Sequence, residues 1–130
     1  MLAAHLKLNN FITLIDDNHI GMIRRTHEVL DMRPLSKRFE GFGFRVIDVD
    51  GHNANAILAA LHELRSGNMP GVLICDTVKG KHVPFAEWEP LWHYRNLNEN
   101  THKEAIAHLD TLRGRTANAN GNANGNGAAK

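Results

Sequence analysis

The chain has 130 residues, of which 42% are hydrophobic and 22% charged, and its formal net charge is +1. Those figures fit one soluble globular domain with a core of its own. Acids and bases are spread evenly, which excludes the clustered basic face of a nucleic-acid binder, and no apolar stretch reaches membrane-spanning length.

The N-terminal "MLAAHLKLNN" reads as the last turns of a helix with Leu2, Ala3 and Leu6 on one face; it is too short and polar for a signal peptide. "FITLID" (11–16) is a continuous apolar run, which predicts a strand covered on both faces. It runs straight into Asp16, Asp17, Asn18 and His19. "PLSKRFEGF" predicts a helix with Pro34 near its N-terminus, ended by Gly41 and Gly43. "FRVIDV" (44–49) is a second strand, followed by the turn Asp50-Gly51.

Asn53 is placed to cap the helix "ANAILAALHELRS", whose apolar stripe is Ile57, Leu58, Leu61 and Leu64 and which Gly67 stops. "GVLICDT" (71–77) is a third strand, and its lone Cys75 reads as a small buried thiol. "THKEAIAHLDTLR" (101–113) closes the domain with a stripe of Ala105, Ile106, Leu109 and Leu112. Residues 114–130, "GRTANANGNANGNGAAK", lack large apolar side chains, which predicts a disordered tail.

Strands alternating with helices imply an α/β fold, a parallel sheet with flanking helices. Ligands of such sheets sit at the carboxyl ends of the strands, here residues 16–20 and 77–82. The nine histidines are scattered, without the i, i+4 spacing or cysteine partners of a zinc site. Asp16, Asp17 and Asn18 offer hard oxygens of the kind Mg²⁺ takes. Lys79 and Lys81 around Gly80 suit an anionic phosphate. Strand-end Asp and Asn are also common turn formers, so these types alone leave both readings open.

Four collinear runs decide more: "AAHLKLNNFITLIDDN", "RTHEVLDMRPLSKRFEGFGFRVIDVDGH", "ILAALHELR" and "VLICDTVKGKHVPFAEWEPLWH". Over residues 2–112 the chain resembles the second half of the thiamine-diphosphate-binding domain of transketolases. The pattern is nearest to the transketolases split into two subunits, which carry "TVKGKGV" and "WHG". The resemblance implies a partial thiamine-diphosphate-binding fold over residues 1–113. It further implies that the Asn18 side chain and the Ile20 carbonyl ligate Mg²⁺, that Ile20 and Lys79 contact thiamine diphosphate, and that His93 lies near both the diphosphate and the sugar, in a catalytic role.

The departures are as specific. The family's metal motif opens with Gly-Asp-Gly well upstream of that Asn, and the 17 residues before Asn18 contain none. His19 and His82 stand where relatives have Gly, "GMIR" (21–24) replaces a run like "QIDG", and "HYRNLN" replaces "HGKAPN". Two readings follow. In one, the chain is part of a transketolase-like enzyme that moves a two-carbon ketol unit between sugar phosphates, inactive alone. Its partners would be a chain carrying the Gly-Asp-Gly half and a pyrimidine-binding subunit. In the other, it is a truncated, inactive relative serving as a scaffold or surviving as a relic. Both expect an oligomer, and the single cysteine and lack of a leader give a cytoplasmic setting as the default.

Overall fold

The computed structural model describes residues 1–121, with side chains up to residue 114. They fall into two compact units, Met1–Lys79 and Gly80 onward. The first is built on three strands, β1 (Ile12–Asp17), β2 (Arg45–Asp50) and β3 (Gly71–Asp76), all parallel and in the order β1-β3-β2. This is the parallel sheet the sequence predicts, with strand ends within a residue or two of the expected ones.

The last strand in the chain is the central one. Val72 and Leu73 of β3 are fully buried, one on each face. On one face α4 (Ala54–Arg65) covers Leu73 and Cys75 with Ile57, Ala60, Leu61 and Leu64. On the other, Ala3 and Ala4 of α1 (Leu2–His5), Leu35 and Phe39 of α3 (Leu35–Gly41), and Phe44 cover Val72 and Ile74. Removing the Leu73 side chain would cost about 2–5 kcal/mol, the usual range for a buried Leu→Ala change. Asn53 caps α4 as predicted, its Oδ1 accepting from the Ala56 amide at 3.1 Å.

The first unit departs from the expectations at several points. β1 is an edge strand paired only with β3, and Leu14 is 54% exposed, so the run is not covered on both faces. The physical reason is that α4 packs on β2 and β3. Leu58 is 56% exposed, because the stripe of α4 centres on Ile57, Ala60, Leu61 and Leu64, and Leu58 lies beyond its margin. The short helix α2 (Thr26–Val29) has no counterpart in the sequence reading.

The second unit contains a 3-10 helix, Pro90–His93, and α5 (Glu99–Gly121). Phe85 packs on Trp92, with ring centroids 4.9 Å apart. α5 starts two residues before the predicted 101, because Asn98 Oδ1 accepts from the Thr101 amide at 2.9 Å and the Thr101 hydroxyl accepts from the Asn98 amide. Ala105 is buried and Leu109 and Leu112 are half-buried, whereas Ile106 is exposed. The helix includes residues 114–121 of the predicted tail; the expectation for residues 122–130 lies outside the described residues. No helix among the described residues is long and apolar enough to cross a membrane.

Candidate functional site

The parallel register lines up the last residues of the three strands: Asp17 beside Asp76, and Asp76 beside Asp50. Three carboxylates in a row repel one another unless neighbours offset them. His19 lies against two of them. Its Nε2 lies 2.8 Å from Asp76 Oδ1 and its Nδ1 3.4 Å from Asp17 Oδ1. Asp50 accepts from the His52 amide at 2.9 Å. His19 reaches this position from a left-handed backbone, φ 60°, the conformation a Gly takes without cost.

Asn18 lies between Asp17 and His19 in the chain, its Nδ2 donating to Asp16 Oδ2 at 3.5 Å. Its Oδ1 accepts from the Ile20 amide at 3.0 Å, closing an Asx turn. Ile20 is buried and forms an isolated bridge with Arg25. The bridge uses the Gly21 amide with the Arg24 carbonyl and the Thr26 amide with the His19 carbonyl, so the Ile20 carbonyl is not spent on it. The amide oxygen keeps a second lone pair, and the donor set is the hard-oxygen type that suits Mg²⁺. It supplies part of a shell: among the described residues no group of three or more His, Cys, Asp or Glu could hold a metal ion.

The loop after β3 is tied to the same corner. The Thr77 amide donates to the Asp17 carbonyl at 3.2 Å, and the Thr77 hydroxyl bonds Asp16 Oδ1. The Val78 amide donates to His52 Nε2 at 2.8 Å. Lys79, half-buried, follows directly. Asp16 also acts on Cys75, its register partner on β3. Burial pushes the Cys75 thiol up from its ordinary value, and the Asp16 charge adds to that.

A cavity of about 210 Å³ opens beside the corner, lined by Asp17, His19, Thr26, His27, Leu30, Met32, Arg33 and Leu35. Arg33 is engaged there with Asp31 through two contacts of 2.8 and 2.9 Å, which hold the Asp31 carboxyl well below the usual carboxylate range.

Of the expected site residues, Asn18, Ile20 and Lys79 thus belong to the rim of the first unit. His93 ends the 3-10 helix of the second, exposed, its ring 6.5 Å from that of Tyr94. His82 of that unit has φ 68°, and its amide donates to Glu87 at 2.7 Å. The sequence reading missed the parts played by His52 and Asp76, although both stand at strand ends on the rim where ligands are expected.

The sequence profile described as "Transketolase, thiamine diphosphate binding domain" matches residues 1–128. The chain belongs to this family. It is 32% identical over 95 residues to one of the subunits of an apulose-4-phosphate transketolase from Actinobacillus succinogenes, covering 73% of this chain and 34% of that protein. It is 31% identical over 111 residues to one of the subunits of a 6-deoxy-6-sulfo-D-fructose transketolase from a Clostridium species, covering 85% of this chain and 40% of that protein. The transketolase-family chain therefore spans little more than a third of these curated relatives. Among solved structures, Campylobacter jejuni transketolase superposes with a TM-score of 0.73 at 30% identity, over 80% of this chain and 16% of that one.

Proposed function

We propose that this transketolase-family chain is one component of a split transketolase-like transferase, active only with partner chains, that moves a two-carbon ketol unit between sugar phosphates. The observation that carries the reading is the rim itself. The Asn18–Ile20 corner and the Thr77–Lys79 loop are tied to each other through Asp16 and Asp17 at the carboxyl ends of β1 and β3, where open parallel sheets bind ligands. Relatives named as transketolase subunits support the partner dependence.

In this reading the Asn18 side chain and the Ile20 carbonyl supply two oxygens to Mg²⁺. Lys79 neutralises the diphosphate, with Ile20 beside the cofactor. His93 is the catalytic residue, donating to a phosphoryl oxygen or sugar hydroxyl. Thiamine diphosphate, when bound, supplies the electron sink for breaking and making the C–C bond, while the protein positions it. The 130 residues contain no Gly-Asp-Gly; in this reading a partner chain supplies the carboxylate ligand, and the pyrimidine-binding subunit is a second partner. The setting is cytoplasmic and the working form an oligomer.

A second reading, an inactive relative acting as a scaffold, is favoured by His19, whose imidazole already lies against two rim carboxylates. Calorimetry with thiamine diphosphate and Mg²⁺ separates the two. The enzyme reading expects weak or no binding to the chain alone, and binding when products of neighbouring genes are added. Absence of binding in every mixture, with circular dichroism showing a folded chain, would overturn the enzyme reading and leave a scaffold or a relic.

A further inference from the structure

We propose that His52 is a positioning residue for Lys79. Its imidazole accepts the Val78 amide at Nε2 and fixes the backbone from which Lys79 projects. A backbone N–H can only donate, so the 2.8 Å contact requires an unprotonated Nε2 and places the ring proton of the neutral imidazole on Nδ1. The His52 backbone is itself held, its amide donating to Asp50 Oδ1 at 2.9 Å.

The turn that carries His52 presses against the end of β3. The Gly51 amide donates to the Asp76 carbonyl at 2.8 Å. A Cβ on Gly51 would lie 2.9 Å from Cys75 Cβ and closer still to the Thr77 methyl. Such an approach leaves the turn little freedom to move. Thr77 and Val78 are therefore held from both sides, by the end of β1 and by the turn after β2. Lys79 then stands between a tethered Val78 and Gly80, whose φ of 70° gives the chain its freedom to turn. Without the imidazole, one of the three ties on this loop is gone, and the lysine on it is no longer pre-set.

The inference rests on the diphosphate role of Lys79, and one set of experiments on the full chain tests the two separately. First, long-range ¹⁵N NMR of the wild type reads the ring tautomer, and amide exchange is followed at Val78. The expected results are the Nδ1–H tautomer and a Val78 exchange rate raised about tenfold in His52→Ala, as for one lost hydrogen bond. Partial recovery is expected in His52→Gln, whose amide oxygen can accept. The Nε2–H tautomer, or unchanged Val78 exchange in His52→Ala, would overturn the proposal.

Second, inorganic pyrophosphate with Mg²⁺ is titrated as the probe into the full chain mixed with the partner products that confer thiamine diphosphate binding. His52→Ala should weaken binding several-fold, His52→Gln should restore most of it, and Lys79→Ala should abolish it. Unchanged pyrophosphate affinity in His52→Ala, alongside loss in Lys79→Ala, also overturns the proposal. No pyrophosphate binding by the wild type sinks the diphosphate role of Lys79 instead, while tautomer and Val78 exchange still decide whether His52 holds the loop.

Discussion

Asn18 and Ile20, the two proposed metal ligands, are bonded to each other, the Asn18 Oδ1 accepting the Ile20 amide at 3.0 Å. The contact turns the chain so that the buried Ile20 follows a strand end directly. Asn18→Ala removes both the turn and a ligand. Its expected cost is about 1 kcal/mol of stability for the lost hydrogen bond, together with loss of Mg²⁺-supported thiamine diphosphate binding in the assembled enzyme. Asn18→Ser keeps a short side-chain acceptor for the Ile20 amide without adding a carboxylate beside Asp16 and Asp17, and should retain most of the stability, read from urea midpoints. Equal stability of Asn18→Ala and wild type would mean the turn forms without its side chain.

Gly51 is the tightest point of the rim. A methyl group there meets the Thr77 methyl and Cys75 Cβ, neither of which can swing away as a long side chain would. Gly51→Ala should therefore destabilise by about 1–3 kcal/mol, the range for forcing extra volume into a packed region. The measurement is the shift in urea midpoint at constant m-value. A shift near zero would show that the β2–α4 turn can rise off β3.

The fold was largely legible because its signals are local. The Asn53 cap, the breaks at Gly67 and Gly43, and three β-branched runs each mark an element by their own residues. The exposure of Leu14 was not legible, since "FITLID" has the apolar content of a central strand and only the order β1-β3-β2 makes it an edge. The same holds for the site. Asn18, Ile20 and Lys79 could be named from a pattern, whereas the contacts of His19 with Asp76 and of His52 with Val78 join residues far apart in the chain. Those pairs depend on strand register, which no single segment encodes.

His82 tests how much backbone strain the chain tolerates. Its φ of 68° is left-handed, at a cost of about 1–2 kcal/mol for a residue with a Cβ. Its bond to Glu87 uses the backbone amide and survives any side-chain change. His82→Gly should thus stabilise by up to about 1 kcal/mol, the relieved strain less the extra entropy that Gly loses on folding. Thermal melts of the two proteins decide it. A lower melting temperature for the variant would mean that the His82 side chain makes contacts worth more than the strain.

Cys75 gives the chain a dependence on alkaline pH. Burial among Ala60, Leu64 and Leu73, and then the Asp16 charge, raise its thiol pKa in the folded state. The unfolded chain therefore loses this proton first as pH rises. Wherever the unfolded state binds fewer protons than the native one, stability falls with pH. The contribution is fully present below the unfolded thiol's pKa and is lost progressively as pH climbs toward the folded one. Urea unfolding between neutral pH and about pH 10, which brackets an ordinary thiol, should show a steeper loss for wild type than for Cys75→Val. The same burial should keep the thiol slow to react with iodoacetamide at neutral pH until urea exposes it. Parallel pH curves for the two proteins would show that Cys75 ionises as freely in the folded chain as in the unfolded one.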